Sequence, residues 1–197
     1  MDRAIAFTNA LIRQQLYGFS VTMLIYMSLI GIILFTLYTV FFRRKSDKRS
    51  GLKEWLCAVL IWIYACVIFQ ITIYRREPGS RSLISTDLNF GSMGGFLSEQ
   101  QLVYSFLNCM LFVPWGFLVY FNRREKSGLR DITMVILTSF LTSVFIETAQ
   151  LITKTGFFEL TDIILNTAGG LIGGLLALLI RHISISNRKR NMTDVRE

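Results

Sequence analysis

Five apolar runs of about twenty residues, 19–42, 55–74, 102–121, 132–152 and 162–180, dictate what this chain can become. A hydrocarbon core about 30 Å thick needs that many residues in helical form, and it offers no partner to exposed backbone. The expected fold is therefore all-α, a polytopic integral membrane protein with five transmembrane helices. Composition agrees, with 17% charged residues against the roughly 25% usual in soluble chains. The first run ends in FFRRKSDKR and not in a small-residue cleavage site, so it is expected to be a retained span and not a signal peptide. No internal repeat interrupts the series.

The net charge of +8 would suggest a nucleic-acid partner in a soluble chain, but its distribution gives another reason. Segment 43–54 carries six basic residues, 122–131 four and 181–197 five, together fifteen of 21. All three fall on one side of a five-span chain. Basic loops stay cytoplasmic, so the N-terminus is expected outside and the C-terminus inside, with the 75–101 loop and the 153–161 turn outside. Trp55, Tyr74, Tyr104 and Tyr120 lie near span ends, where aromatic anchors collect. The expected parts are an N-terminal segment 1–18, a first helix with its basic loop 19–54, a membrane domain 55–181 and a basic tail 182–197. Residues 1–18 read either as an interfacial helix with Ile5, Leu11, Ile12 and Leu16 on one face, or as an extension of the first span. Cys57, Cys66 and Cys109 lie in apolar runs as packing residues, and His182 reads as interfacial. Neither a metal site nor a cofactor is expected.

Depth follows from about 1.5 Å of rise per residue, and it brings polar residues of three spans together. Glu147 falls roughly 8 Å below the outer boundary, with Gln150 above it; Asn166 is roughly 6 Å deep and Asn108 roughly 9 Å. Ser143, Glu147 and Gln150 share one helix face, as do Asp162 and Asn166. The inner side shows nothing comparable in this reading. Gly169, Gly170, Gly173 and Gly174 form overlapping small-xxx-small patterns that let a neighbouring helix approach. Pro114 and Gly116 interrupt the third span and free a carbonyl near residue 110. Simpler roles compete at each position. Asp162 with Thr161 caps a helix, or binds; Asn108, Gln150 and Asn166 join helices, or bind. Glu147 resists the simpler reading, because a carboxylate in lipid costs a few kcal/mol and must face protein or a wet cavity.

The segments NCMLFVPWGFL (108–118), SVFIETAQ (143–150) and FFELTDIILNTAGGLIGG (157–174) resemble the VanZ-like family over about residues 71–180. The shared pattern falls on Asn108, Phe112, Pro114 and Gly116, on Glu147 and Gln150, and on Asp162, Asn166, Thr167, Gly169 and Gly170. YRREPGSRS (74–82) is similar to an outer-loop motif of that family. LNFGSMGGF lacks the proline expected in the same loop, Glu159 stands where Asp is common, and Gly156 where some members carry Arg. The resemblance implies a multi-pass protein of the bacterial cell membrane, in a family whose namesake is linked to teicoplanin-type glycopeptide resistance in Gram-positive bacteria. It implies no chemical mechanism.

Three functions fit these residues. The first is a non-enzymatic protein whose outer-leaflet polar cluster (Asn108, Glu147, Gln150, Asp162, Asn166) binds a lipid, a lipid-linked cell-wall precursor or a glycopeptide. Arg75, Arg76 and Arg81 are then anion-binding candidates at the rim, or counter-ions for the carboxylates. The second is an intramembrane enzyme acting on a lipid head group, with Glu147 or Asp162 as base, although no nucleophile–base set is visible. The third is a proton-coupled transporter or flippase using Glu147 as carrier. The first is favoured, with no catalytic residue assigned; the oligomeric state cannot be read from sequence.

Overall fold

The computed structural model describes Arg13, residues 17–42, 52–74, Arg76, 84–85, 96–123, 128–156 and 158–194. Among these are five helices: α1 (Val21–Phe42), α2 (Leu52–Phe69, continued by a π-helical turn Gln70–Tyr74), α3 (Phe96–Asn122), α4 (Gly128–Thr153) and α5 (Leu160–Asp194). Two short strands, β1 (Ile84–Ser85) and β2 (Phe158–Glu159), pair in parallel, with Ile84 opposite Phe158 and Ser85 opposite Glu159. The fold is all-α with a small ladder at one end. Trp55–Tyr74, Val103–Asn122, Gly128–Thr153 and Leu160–Ser186 are each long and apolar enough to cross a membrane. In α1 the described side chains form an apolar stretch, Val21–Leu37.

The helix starts explain themselves locally. Gly18 takes a left-handed turn at φ 81°, and the Ser20 hydroxyl accepts the Met23 N–H at 3.2 Å as an N-cap. The chain thus turns immediately before α1; the choice between an interfacial helix and an extension of the first span falls on residues that lie outside the described ones. Helices also outrun the apolar runs that mark them: α3 begins at Phe96 and α5 continues to Asp194. Hydropathy reads only the hydrocarbon layer, whereas helix propensity carries on through polar residues such as Arg188, Lys189 and Arg190.

The tightest packing joins α3 to α5, backbone against backbone. A methyl group at Gly169 would fall on the carbonyl of Cys109, one at Gly173 on that of Val113, and one at Gly116 on that of Gly170. Gly170 and Gly174 face a different neighbour, α4, against Ser139 and against Val135 with Ile132. The glycine pattern therefore serves two helices, each set spaced by four residues. In α3, Pro114 breaks the hydrogen-bond ladder, and the Tyr64 hydroxyl from α2 donates to the nearby Leu111 carbonyl at 2.6 Å. Gly31 of α1 leaves room for the Trp62 indole, whose Nε1 donates to the Met27 carbonyl at 3.2 Å. Tyr120, expected at the interface, is instead buried in a core with Val119, Ile132, Val135 and Ala177. Its ring packs inward because α4 and α5 close over it.

Candidate functional site

α4 buries one face along its entire length: Asp131, Ile132, Val135, Ser139, Ser143, Ile146, Glu147 and Gln150. Steps of three and four residues put these side chains in one stripe, and most of them are polar. Buried polar groups in a membrane demand partners within the protein. Near the C-terminal end of α4 those partners come from all neighbouring elements.

Ser143 Oγ accepts a hydrogen bond from Asn166 Nδ2 of α5 at 2.8 Å. Glu147, 2% exposed, accepts the backbone N–H of Glu159 on Oε2 at 3.0 Å. That N–H belongs to β2, with which β1 pairs, so the ladder lies against the carboxylate. Gln150 Nε2 donates at 3.1 Å to the carbonyl of Thr72 in the π-helical turn of α2. An i→i+5 turn disturbs the regular ladder, and such turns often mark functional places in helices. Asn108 of α3 hydrogen-bonds the Asp162 carboxylate. Asp162 sits in the first turn of α5, where a negative charge favours the helix.

Arg76, just past the π turn, supplies the positive charge. It acts electrostatically on both Glu147 and Asp162. Its guanidinium lies beside the buried Gly156, where a methyl group would come within 2.7 Å of Nη1 and within 2.9 Å of Gln150 Oε1. The absence of a side chain at 156 makes room for the arginine.

The connection that closes the site has a defined backbone. α4 ends with Lys154 in the left-handed region at φ 55°. The Thr155 N–H returns to the Gln150 carbonyl at 2.9 Å, and the Lys154 N–H to that of Leu151 at 3.3 Å. This is a Schellman ending, which normally places glycine where Lys154 stands.

All five residues expected in the polar cluster thus make contacts at one end of the bundle. Asn108 pairs with Asp162, Asn166 with Ser143, Gln150 with Thr72, and Glu147 with Glu159, while Arg76 acts on both carboxylates through its charge. Asn166 Oδ1 remains buried without a hydrogen-bond partner. Of the three rim arginines, Arg76 is in the site; Arg75 and Arg81 lie outside the described residues. Pro114 is exposed, and Gly116, Gly169, Gly170, Gly173 and Gly174 are packing positions below the site. Among the described residues, no three His, Cys, Asp or Glu side chains are grouped as a metal-binding set. The chemistry available is hydrogen bonding to hydroxyl, amide or ammonium groups through carboxylates and carboxamides, with one guanidinium for an anionic oxygen.

The expectation that the opposite end lacks a comparable feature is wrong. There Asp131, fully buried, lies 3.7 Å from Arg123 and 3.7 Å from Arg181. In the sequence both arginines stand in basic segments that read as orientation signals, and the aspartate between them reads as part of a solvated loop. Asp131, Val135, Ser139, Ser143 and Glu147 recur every four residues in the sequence, so one face runs from one carboxylate to the other.

A family model described as VanZ/LLP1 matches residues 23–181, a span that includes every residue of the cluster. Among curated proteins, Protein VanZ of Enterococcus faecium is similar, at 22% identity over 132 residues that cover 67% of this chain and 76% of that protein. No solved structure matches.

Proposed function

The chain belongs to the VanZ/LLP1 family, and from that premise we propose a non-enzymatic envelope protein that binds an amphipathic molecule at the Glu147 end of its bundle. The ligand class is a lipid head group, including that of a lipid-linked cell-wall precursor, or a glycopeptide with its acyl tail. Binding of that kind is how it would contribute to glycopeptide resistance of the teicoplanin type. The observation that carries the reading is the convergence of Arg76 with Glu147 and Asp162, set among the amides of Asn108, Gln150 and Asn166. A guanidinium suits a phosphate, while carboxylates and amides suit sugar hydroxyls and peptide N–H groups. Glued helices alone would not need a buried carboxylate, since a neutral amide accepts the Glu159 N–H without the cost of a charge in lipid.

In the arrangement proposed, α1 is the first of five spans in the bacterial cell membrane, with the N-terminus outside and the C-terminus in the cytoplasm. The basic segments 43–54, 122–131 and 181–197 support it. A cysteine at position 85, in a background lacking the native cysteines, then reacts with an impermeant thiol reagent on intact cells, and one at 47 does not. The reverse pattern would move the site to the other face and end the proposal.

The binding itself is tested by native mass spectrometry of the detergent-purified chain, with Glu147→Gln as the variant. Wild type is expected to retain a co-purified lipid that Glu147→Gln, still folded, loses. Equal retention would reduce Glu147 to a structural hydrogen-bond acceptor. A second reading, proton-coupled transport with Glu147 as carrier, gains support from Asp131 on the same buried face of α4. Proton flux into vesicles that disappears in Glu147→Gln would favour it.

A further inference from the structure

At the end of the bundle remote from Glu147, three helices contribute to a second charged cluster. Asp131 stands in the first turn of α4 with none of its side chain exposed. Arg123, immediately after α3, places Nε 3.7 Å from Oδ1, and Arg181 of α5 places an Nη1 3.7 Å from Oδ2. The same Arg181 Nη1 donates to the Tyr120 hydroxyl at 3.4 Å, and its guanidinium carbon lies 6.0 Å from the centre of that ring.

A clamp for three helix ends is the plain explanation, but it needs one cation for one anion, whereas here a single carboxylate is flanked by two guanidiniums. Among the described residues the excess is one positive charge. At 3.7 Å each ion pair is too long for a hydrogen bond, so Asp131 holds both arginines by charge and leaves guanidinium N–H donors over. The side chains of Arg123 and Arg181 are 32% and 27% exposed, so part of each reaches the surface. Each guanidinium has five N–H donors in a fixed fork, more than Asp131 and Tyr120 occupy. Phe117, Phe121 and Leu178, each half-buried, pack around the adjoining core and extend it with apolar surface.

We propose that Arg123 and Arg181, held in place by Asp131, bind the phosphate of an anionic phospholipid at this end of the bundle. Two guanidiniums drawn to one carboxylate converge closely enough to share a phosphate, and the fork matches its oxygens. Asp131 is the positioning residue: it fixes both arginines from beneath without reaching the ligand. The apolar surface of Phe117, Phe121 and Leu178 takes the start of an acyl chain. This site is independent of the one at Glu147.

The test uses the full chain in detergent, by native mass spectrometry, with phosphatidylglycerol, phosphatidylcholine or inorganic phosphate added separately. Wild type is expected to hold phosphatidylglycerol in preference to phosphatidylcholine. The double variant R123Q/R181Q is expected to lower that retention about 10-fold or more, as loss of charge-assisted contacts predicts. If the double variant does not fold, R123K/R181K keeps both charges and removes the forks, and a several-fold loss at unchanged melting temperature is expected. Equal retention of phosphatidylglycerol by wild type and a folded variant, or equal retention of the two lipids, overturns the proposal. Inorganic phosphate held by wild type, lost in the variant and able to displace the lipid would overturn its assignment to a phospholipid.

Discussion

Replacing Gly169 by alanine tests whether direct backbone contact holds α3 against α5. The added methyl would land on the Cys109 carbonyl, within about 3.2 Å of its Cα as well, so neither a rotamer change nor a side-chain shift can relieve it. The helices must separate instead, and Gly173 against Val113 and Gly116 against Gly170 loosen with them. A gap of about 0.5–1 Å forfeits a quarter to a half of the dispersion well at each atom pair. Overpacking of this kind costs about 1–3 kcal/mol. At about 2–4 °C per kcal/mol for a chain of this size, the melting temperature falls by roughly 4–12 °C if the upper part of that range applies. Gly128→Ala is the internal control. Among the described residues its methyl meets Leu178 Cδ1 alone, at 3.4 Å, an ordinary contact, so its melting temperature stays within about 2 °C of wild type. The assay is a fluorescence melt of the purified chain in one detergent. Equal shifts for the two variants would refute the argument that α3 and α5 meet through their backbones.

Lys154→Gly should stabilise the chain by about 1 kcal/mol, because glycine adopts the left-handed φ of 55° without the steric cost lysine bears; a lower melting temperature would contradict the Schellman geometry. Gln150→Leu leaves the Thr72 carbonyl without its donor and should cost about 1–3 kcal/mol, read in the same melt; an unchanged melt would show that the carbonyl finds another partner. Glu147→Gln keeps an acceptor for the Glu159 N–H and should melt near wild type, whereas Glu147→Ala removes it and should lose about 1–3 kcal/mol; equal stability of both would remove that hydrogen bond from the account.

How far the sequence led depends on what kind of signal each feature leaves. Four of the five expected spans are helices long and apolar enough to cross a membrane, readable because a hydrocarbon layer enforces length and apolarity on continuous stretches. The convergence of Asn108, Glu147, Gln150, Asp162 and Asn166 is readable too, since depth in adjacent spans fixes their level and four-residue spacing fixes their face. Pairing within the cluster is not: nothing in the spacing tells that Asn108 meets Asp162 while Asn166 meets Ser143. The β1–β2 ladder escaped because two residues on each side carry no periodicity and 73 positions separate Ser85 from Phe158. Asp131 escaped for another reason. Next to basic loops, a charge near a span end reads as solvated, and only its register with Ser139, Ser143 and Glu147 points inward.

The π-helical turn at Gln70–Tyr74 acts as an angular spacer. One residue of an α-helix advances the chain by roughly 100° about its axis, and a π turn accommodates an extra residue over nearly the same rise. Arg76, two residues beyond the turn, is thereby set in a different phase from the one an unbroken α-helix of the same length would give it. Trp62, Tyr64 and Ile68 keep the orientation that packs α2 against α1 and α3, while Arg76 swings to the side where Glu147 and Asp162 wait. Regularising 70–74 into an α-helix with no residue removed would carry Arg76 roughly 100° away from the carboxylates. Deleting one residue within 70–74 would restore an unbroken α-helix and, because the turn holds one extra residue over nearly the same rise, would leave Arg76 close to its present direction. What that deletion removes is the irregular backbone at Thr72, whose carbonyl Gln150 Nε2 reaches at 3.1 Å. In this family a single-residue gap at that point would therefore mark loss of that contact, with the arginine still beside the carboxylates.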